Sequence, residues 1–397
     1  MPDLDDVIAD DLSELEQAGL LRSLYTIDSP QGTSINVDGF PLLNFSSNDY
    51  LGLANHPGII EVGQKALADF GAGAGASRLI CGNLSPHAEL EEALADFKQT
   101  EAALTFSTGY ATAMSAVCSV MGKGDVIILD KLVHASIVDA AKFSSATIRV
   151  FRHNDLEGLE KRLHWANEKH PDARKLVITE SVFSMDGDLA PLLNIVELKE
   201  QYGAWLMVDE AHATGLFGDN RSGLVQEFGL GDRVEIQMAT LGKALGSSGG
   251  AVCGSRKLID LLVNRARPLM YSTAPPPCSA ATAKAAIELV RSQEGETRRQ
   301  RLWAMTENLK STLIESGHPP GIVRSPIIPL ILGDEKETMT ASENLRAAGI
   351  FVPGIRYPTV AREQARLRFT ITASHGLDDL AGLKEALGSI SNESDEA

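Results

Sequence analysis

The stretch WLMVDEAHATG, residues 205–215, joins an apolar run to a group of ionisable side chains. A short apolar run of this kind is typical of a strand buried on both faces, as in a parallel sheet. Asp209 and His212 follow it at the carboxyl end of the strand, where α/β folds bind ligands. One alternative is an aspartate that only caps the next turn. A DEAH-box ATPase would need a GxxxxGK[ST] phosphate loop, which this sequence lacks.

Further apolar runs alternate with helical patterns between about residues 60 and 280. They are ALTF at 103–106, VIIL at 126–129, IRVF at 148–151 and KLVIT at 175–179. Such alternation predicts βαβ units and a mostly parallel sheet covered by helices, which is an α/β fold. After about residue 285, a long charged helix and shorter strand-like runs predict a smaller α+β domain.

The length and texture of the chain predict several structural segments. A chain of 397 residues is too long for one comfortable core, so a large and a smaller domain are expected. We expect an N-terminal helix and strand segment over 1–58, a large domain over 59–284, and a small C-terminal domain over 285–390. The polar end of the chain, 391–397, is expected to be a disordered tail.

The charge balance limits the partners of this protein. With 36 Lys and Arg against 53 Asp and Glu, the formal net charge is −17, which argues against binding to nucleic acid or to an anionic membrane. The acidic N-terminus MPDLDDVIADD does not resemble a signal peptide, and no apolar stretch is long enough to span a bilayer. We therefore expect a cytoplasmic protein.

The cysteines do not indicate a metal site. Cys81, Cys118, Cys253 and Cys278 lie far apart, without a CxxC pair and without a histidine at metal-ligand spacing. A zinc site or a disulfide framework is not expected.

A lysine follows the next strand-like run in a turn of small residues. In ATLGKALGSSGGA, residues 239–251, Lys243 is preceded by the run 234–238. A lysine on an exposed helix is usually a solvated surface group. In a glycine-flanked turn it could instead be held against a cofactor aldehyde, because a Schiff-base lysine needs tight positioning and a lowered pKa.

Two other strand-to-helix turns carry weaker signals. In TFSTGYATAMSAV, the backbone amides near Thr108, Gly109 and Tyr110 could bind a phosphate at a helix N-terminus. His134, in DKLVHASIVDA, could stack on a flat aromatic ring. Taken alone, it would sooner be a helix-start histidine with a satisfied hydrogen bond.

Several motifs, taken together, resemble one enzyme family, the α-oxoamine synthases. The matching segments are NFSSNDYLGL (44–53), HAS (134–136), ESVFSMDGD (180–188), VDEAHATG (208–215) and TLGKALG (240–246). The resemblance covers nearly the whole chain. It implies a pyridoxal 5'-phosphate (PLP) dependent transferase of fold type I, acting as a homodimer. Such enzymes condense an amino acid with an acyl thioester and release CO2.

The resemblance implies roles for four catalytic residues. Lys243 is similar to the lysine that binds PLP as a Schiff base and shuttles protons. Asp209 would hold the pyridine nitrogen protonated, and His212 would hydrogen-bond the phenolic oxygen. His134 would stack on the ring.

The resemblance also implies further contacts with the cofactor. Thr240 and the amides of Gly109 and Tyr110 would hold the phosphate. Ser184 lies where the family has a serine near the cofactor oxygen. Thr273, in YSTAPPP, is similar to the residue that reaches the phosphate of the neighbouring subunit, which implies an active site shared across the homodimer.

Three polar residues are candidates for substrate binding. Arg356, in GIRYPTV, could bind the amino-acid carboxylate with two parallel hydrogen bonds, or could bond loop carbonyls instead. Asn48 resembles a family asparagine near that carboxylate, although it could be a turn or helix cap. Arg22 matches an arginine near the acyl chain, where it could pair with a distal carboxylate, and a solvated helix-end arginine is the alternative.

The motifs favour one subgroup of the family. LNFSSNDYLGLANHP, GIRYPTV and RLRFTITASH resemble the enzymes of biotin biosynthesis that join L-alanine to pimeloyl-CoA or a pimeloyl acyl-carrier protein (ACP). The nearest alternative uses glycine and acetyl-CoA, and serine palmitoyltransferase is more distant. The turn reads IRYP where the subgroup commonly has IRPP, which leaves the acyl preference open. A non-catalytic, partner-binding subunit of the same fold is an alternative of a different class.

Overall fold

The computed structural model describes residues 3–394. Its helices are α1 (Leu4–Gln17), α2 (Pro57–Phe70), α3 (Ser85–Lys98), α4 (Gly109–Val120), α5 (Ala135–Phe143), α6 (Leu156–Lys169), α7 (Leu192–Gln201), α8 (Leu224–Glu227), α9 (Arg256–Arg265), α10 (Arg267–Tyr271), α11 (Pro277–Arg291), α12 (Gln293–Glu315), α13 (Glu335–Ala347) and α14 (Leu377–Ser394). Its strands are β1 (Ser34–Val37), β2 (Phe40–Asn44), β3 (Ala102–Phe106), β4 (Val126–Asp130), β5 (Thr147–Phe151), β6 (Lys175–Glu180), β7 (Trp205–Asp209), β8 (Ile236–Thr240), β9 (Gly250–Gly254), β10 (Ile327–Gly333), β11 (Ile350–Phe351), β12 (Gly354–Ile355) and β13 (Ala365–Thr370).

The larger of two compact units contains a seven-stranded sheet in the order β3-β9-β8-β7-β6-β4-β5. Strands β4 to β8 are parallel to their neighbours in this group, and β9 is antiparallel to both β3 and β8. The prediction of a mostly parallel sheet is therefore confirmed. Strand β9 was not expected, because the run GAVCG is short and made of small residues, although every one of them is buried.

Apolar side chains of the sheet and of the helices that cover it form one core. Alanines of α4, such as Ala113 and Ala116, are completely buried against Leu104, Ile178 and Met238 of the strands. Small residues let a helix backbone lie close to the sheet, so the alanine-rich α4 can pack directly beneath the strand ends.

The smaller unit runs to Ser47, takes in Met185–Gly187, and continues from Arg301. It contains two three-stranded sheets, β1-β2-β11 and β10-β13-β12. The structure thus groups the N-terminal segment with the C-terminal part of the chain, and its boundaries differ from those expected at 58 and 284. The physical reason is the parallel pairing of β11 with β2, in which Ile350 lies opposite Leu43.

The end of the chain also differs from expectation. Helix α14 continues to Ser394, so residues 391–394 of the expected disordered tail are helical. The rest of that expected tail, 395–397, lies outside the described residues.

One glycine of the TLGKALG motif is required by close packing. Gly246 has a φ of +61°, and a Cβ atom there would lie 2.4 Å from the backbone nitrogen of Ala54 and 2.5 Å from the carbonyl carbon of Leu53. Contacts this short with main-chain atoms can be relieved only by moving the backbone. The turn that carries Lys243 therefore depends on the absence of a side chain at 246.

Gly203 provides a matched comparison. It has a φ of +65°, and a Cβ atom added there would meet no other atom within 4 Å. Gly203→Ala should lower the free energy of unfolding by about 1 kcal/mol, the cost of a left-handed alanine. Gly246→Ala should add a packing cost of about 1–3 kcal/mol. Urea unfolding of both variants checks this, and equal losses would contradict the packing argument.

Candidate active site

The candidate site lies at the carboxyl edge of the parallel strands in the larger unit. Strands β6, β7 and β8 are neighbours and end at Glu180, Asp209 and Thr240. Glu180 lies directly opposite Asp209 in the strand register. Because parallel strands end at one edge, residues distant in sequence meet there, as predicted for Asp209 and Thr240.

A chain of hydrogen bonds begins at Lys243. Its Nζ lies 2.8 Å from His212 Nε2, and His212 Nδ1 lies 2.6 Å from the Tyr50 hydroxyl. The Tyr50 hydroxyl in turn donates to Asn48 Oδ1 at 3.3 Å. Both ring nitrogens of His212 thus have a hydrogen-bonding partner, and in the neutral ring one nitrogen donates while the other accepts.

This series of hydrogen bonds connects three predicted residues and one that the sequence analysis missed. Lys243, His212 and Asn48 were predicted site residues, whereas Tyr50 was quoted within a motif and given no role. Tyr50 is completely buried, so its sequence signal is that of a core aromatic residue. Only the distance to His212 reveals a polar function for its hydroxyl.

Asp209 is a buried carboxylate, with 3% of its surface exposed. Burial raises its pKa, while the positive charge of Lys243 and a 2.9 Å hydrogen bond from the Ala211 amide act in the opposite direction. A carboxylate held in this way gains strongly from a neighbouring cation. It is therefore suited to pair with a protonated pyridine nitrogen.

Glu180 is a second buried carboxyl group beside Asp209, and sequence reasoning did not single it out. Its pKa is raised well above the usual range by burial and by the negative charge of Asp209. Its Oε1 accepts a 2.5 Å hydrogen bond from the backbone amide of His134. The raised pKa favours the neutral form of Glu180, and its contact with the His134 amide holds the start of α5 in place.

His134 has the helix-start role that the sequence offered as the alternative. It is the N-cap of α5, where Nδ1 accepts from the Ser136 amide at 3.3 Å and lies 2.8 Å from the Ser136 hydroxyl. Burial lowers its pKa, which favours the neutral ring with its hydrogen on Nε2. The cap fixes the ring orientation, and stacking on a cofactor ring stays a prediction.

The first turn of α4 offers donors for a phosphate. The Thr108 hydroxyl caps the helix by accepting from the Ala111 amide at 3.0 Å, and the amides of Gly109 and Tyr110 have no acceptor within the helix. A Cβ atom on Gly109 would lie 2.9 Å from Thr240 Cγ2. Gly109 thus packs directly against Thr240, and the amides of this helix N-terminus are donors that suit the phosphate of PLP.

Two other residues, Ser184 and Thr273, were predicted to contact the cofactor. Ser184 belongs to the loop after β6, three residues before Gly187, whose φ is +70°. Thr273 is exposed, and the next residue, Ala274, donates a 2.9 Å hydrogen bond to the carbonyl of Ala76, in the stretch GAGAGA at 71–76. The roles expected for both residues stay predictions.

The two predicted arginines of the smaller unit lie close to each other. Arg356 is buried and donates to the carbonyl of Leu21 at 2.6 Å, and Arg22 donates to the carbonyl of Tyr357 at 3.0 Å. Burial lowers the pKa of Arg356, and the charge of Arg22 lowers it further. The loop-carbonyl contacts match the alternative role of Arg356, whereas two adjacent positive charges favour an anion nearby.

A histidine clamped by two aspartates lies behind the site. His153 Nδ1 is 3.1 Å from Asp130, four residues before His134, and Nε2 is 2.8 Å from Asp188, four residues after Ser184. Burial opposes the charged ring, but the hydrogen bonds to Asp130 and Asp188 outweigh it and raise the pKa of His153 to about 10. The charged ring therefore ties together the two loops that carry His134 and Ser184.

Over residues 3–394, no helix combines the length and the apolar composition that a membrane-spanning segment needs. Among the side chains of residues 3–388, no three or more from His, Cys, Asp and Glu are grouped so that they could hold a metal ion.

The comparison with known protein families accounts for this arrangement. Residues 41–387 match the family model of the class I and II aminotransferases. The chain belongs to this family. Within it, the chain is an α-oxoamine synthase, as its motifs predicted, so it is a PLP-dependent acyltransferase. The predictions of fold, enzyme class and cofactor are thereby confirmed.

The proteins to which this α-oxoamine synthase is similar include two differently named enzymes. It is 43% identical over 380 residues to the 8-amino-7-oxononanoate synthase of Thermoanaerobacter pseudethanolicus, covering 96% of this chain and 95% of that one. It is 42% identical to the synthase of the same name from Geobacter sulfurreducens, covering 97% and 98%. Serine palmitoyltransferase from S. paucimobilis, solved with a bound PLP-myriocin aldimine, is 29% identical, with a TM-score of 0.92 over 100% of both chains.

The clamp on His153 predicts a pH-dependent contribution to stability. Because its pKa is raised in the folded state, the contribution is complete below the unfolded-state value of about 6.5 and is lost as the pH rises towards about 10. We expect the difference in unfolding free energy between the wild type and His153→Gln to shrink over that range. Urea unfolding at several pH values measures it.

The control for this measurement is His164→Gln, since His164 is 63% exposed and lies 3.4 Å from Glu168 on the same helix. Its effect should stay small throughout. If the difference in unfolding free energy between the wild type and His153→Gln does not change between pH 6.5 and 10, the His153 ring is not charged in the folded protein.

Proposed function

We propose that this enzyme joins L-alanine to a pimeloyl thioester, either pimeloyl-CoA or pimeloyl-ACP, to give 8-amino-7-oxononanoate for biotin biosynthesis. A carbon–carbon bond forms between the alanine α-carbon and the thioester carbonyl carbon. The thiol leaves, and the alanine carboxylate is released as CO2. The observation that carries the choice of substrates is 42–43% identity to synthases of that name over nearly the full length of each chain.

Lys243 is the proposed proton carrier. When bound, PLP supplies an electron sink for the pair left on the amino-acid α-carbon. Lys243 takes the α-proton on Nζ and returns it to the product. The 2.8 Å contact of Nζ with His212 Nε2 supports this role, because a hydrogen bond given to His212 orients the amine and leaves its lone pair for the substrate proton.

Asp209 and its surroundings are proposed to stabilise positive charge on the pyridine nitrogen. The buried carboxylate binds a cation more strongly than an exposed one would, since little water competes with it. The raised pKa of Glu180 supports this assignment, because it favours an uncharged neighbour for Asp209. His134 is proposed to stack on the ring and His212 to bond its phenolic oxygen.

Two chains are proposed to complete the phosphate site. Gly109, Tyr110 and Thr240 bind the phosphate within one subunit, and Thr273 of the partner subunit adds a hydroxyl in a homodimer. The exposed position of Thr273 in the single chain supports this arrangement. Ser184 is proposed to lie near the cofactor oxygen.

The charged residues of the smaller unit are proposed to select the substrates. Arg356 binds the amino-acid carboxylate, and Arg22 pairs with the distal carboxylate of the pimeloyl chain. Asn48, a residue of the larger unit, is separately proposed to contact the amino-acid substrate. The adjacent positive charges of Arg22 and Arg356 support binding of an anion, since neither side chain forms an ion pair with a carboxylate of residues 3–388, whose side chains the structure describes. A long-chain acyl donor has no distal carboxylate and would leave Arg22 without this partner.

The proposed substrates can be tested by measuring release of free CoA with alanine, glycine or serine against pimeloyl-, acetyl- and palmitoyl-CoA. Alanine with pimeloyl-CoA should give a kcat/KM about tenfold or more above every other pair, since one methyl or methylene group is worth that much in a fitted pocket. Pimeloyl-ACP should be assayed beside it. A preference for glycine with acetyl-CoA, or for serine with palmitoyl-CoA, would contradict the proposal.

The role of Arg356 can be tested separately. Arg356→Gln should raise the KM for alanine by about 10- to 100-fold and leave the KM for the acyl donor nearly unchanged, as expected for a lost charged hydrogen bond. Arg368→Gln is the matched variant, because Arg368 is also a buried arginine of the smaller unit, whose Nη1 donates to Thr370 at 3.0 Å. If only Arg368→Gln weakens alanine binding, Arg356 is not the carboxylate ligand.

A further inference from the structure

A buried ion pair lies directly behind the turn that carries Asp209 and His212. Lys98 is the last residue of α3, and its Nζ lies 2.8 Å from Oε2 of Glu210. Both side chains are 1% exposed. Taking two charges out of water is costly, so a pair this deep is stable only when the remaining hydrogen-bonding groups are also satisfied.

The surrounding residues satisfy both partners of this pair. Lys98 Nζ also donates to the Thr214 hydroxyl at 2.9 Å and to the carbonyl of Ser222 at 2.5 Å. The second oxygen of Glu210, Oε1, accepts from the Val225 amide at 2.9 Å. All three hydrogens of the ammonium group thus have acceptors, and the pair joins the end of α3 to two parts of the 209–225 segment.

The main chain of Glu210 is held as firmly as its carboxylate. Its amide donates to the carbonyl of Met238 in β8 at 2.8 Å, and its carbonyl accepts from the Thr214 amide at 2.8 Å. A Cβ atom on Gly223 would lie 2.4 Å from the Glu210 carboxylate, so the chain leaves room for that group. Glu210 is therefore fixed on every side, immediately after Asp209 and two residues before His212.

The pair also controls the charge near Asp209. The pKa of Asp209 is raised first by burial, and the negative charge of Glu210 raises it further. Lys98 compensates that negative charge. Without Lys98, a second uncompensated carboxylate would remain beside the group that has to hold a cation.

We propose that Lys98 and Glu210 are positioning residues that orient the Asp209–His212 turn towards PLP. The pair touches neither the cofactor nor the substrates and acts through the turn. It sets the direction of the Asp209 and His212 side chains and limits the negative charge around Asp209. This inference rests on the proposed roles of Asp209 and His212 in holding the cofactor.

The test compares Lys98→Met, Glu210→Gln and the double variant with the wild-type enzyme. Two quantities are measured: the Kd of PLP, by titration into the cofactor-free protein, and the pH midpoint of the visible absorbance of the bound cofactor. Lys98→Met should weaken PLP binding by about tenfold or more, because the turn that carries Asp209 and His212 is no longer held in place. It should also move the absorbance midpoint to higher pH, because the uncompensated Glu210 carboxylate stabilises the protonated cofactor. In the double variant, which removes that carboxylate, both the Kd and the midpoint should return part of the way to the wild-type values.

Lys199→Met is the matched control. Lys199, on α7, is also a largely buried lysine of the larger unit, with 5% of its side chain exposed. Its Nζ lies 2.7 Å from Oε1 of Glu235. Its loss should lower the thermal midpoint of unfolding while the Kd of PLP and the absorbance midpoint stay within about twofold of the wild type.

The proposal is overturned if Lys98→Met loses stability as Lys199→Met does but keeps the wild-type Kd and absorbance midpoint, since the pair would then be only structural. If Lys98→Met does not fold, Glu210→Gln decides, because it keeps the shape of the side chain and one oxygen for the Val225 amide. Unchanged PLP binding and midpoint in that variant would overturn the proposal equally. A wild-type enzyme that binds PLP but shows no alanine-dependent CoA release would contradict the proposed substrates and leave this inference standing.

Discussion

An ionised carboxylate buried at the end of a central strand requires a cation beside it, and much of the larger unit is arranged around that requirement at Asp209. Lys243 lies close enough to oppose the rise in its pKa that burial causes. Burial and the negative charge of Asp209 raise the pKa of Glu180, the neighbouring buried acid, and Lys98 compensates the charge of Glu210. The site is thereby prepared to accept one positive charge, which is the property that a protonated pyridine ring supplies.

The same constraint explains why the sheet has to be parallel at this point. Parallel strands place Glu180, Asp209 and Thr240 at one edge, and the helix N-terminus of α4 faces the same edge with its unpaired amides. A flat cationic ring with an attached phosphate needs a buried anion at one end and backbone donors at the other. The order of strands and helices provides both.

Much of the fold could be predicted from the sequence because its strands are continuous apolar runs. The run VIIL at 126–129 falls within β4, and ALTF at 103–106 falls within β3. Strand β9 escaped prediction because GAVCG is made of small residues, and the pairing of β2 with β11 escaped because it joins residues about 300 positions apart. The prediction of a disordered tail was wrong for 391–394, where α14 continues.

The predicted part of the site consists of residues whose chemistry is visible in a motif, such as Lys243, Asp209 and His212. Tyr50 and Lys98 were missed because their sequence neighbours make them look like a core aromatic residue and a helix-end lysine. Their functions arise from contacts with His212 and Glu210, which lie 162 and 112 positions away in the chain. No local pattern contains that information.

In the proposed holoenzyme, PLP is attached to Lys243 and its pyridine nitrogen pairs with Asp209. The most direct test is borohydride reduction of the purified, PLP-loaded enzyme, followed by peptide mapping, with Lys243→Ala treated in parallel. For the wild type we expect a visible absorbance band that reduction removes, and a reduced cofactor bound to the peptide that contains Lys243. The Lys243→Ala variant should yield no such modified peptide. A reduced cofactor on another lysine, or a wild-type protein that cannot be loaded with PLP, would contradict it.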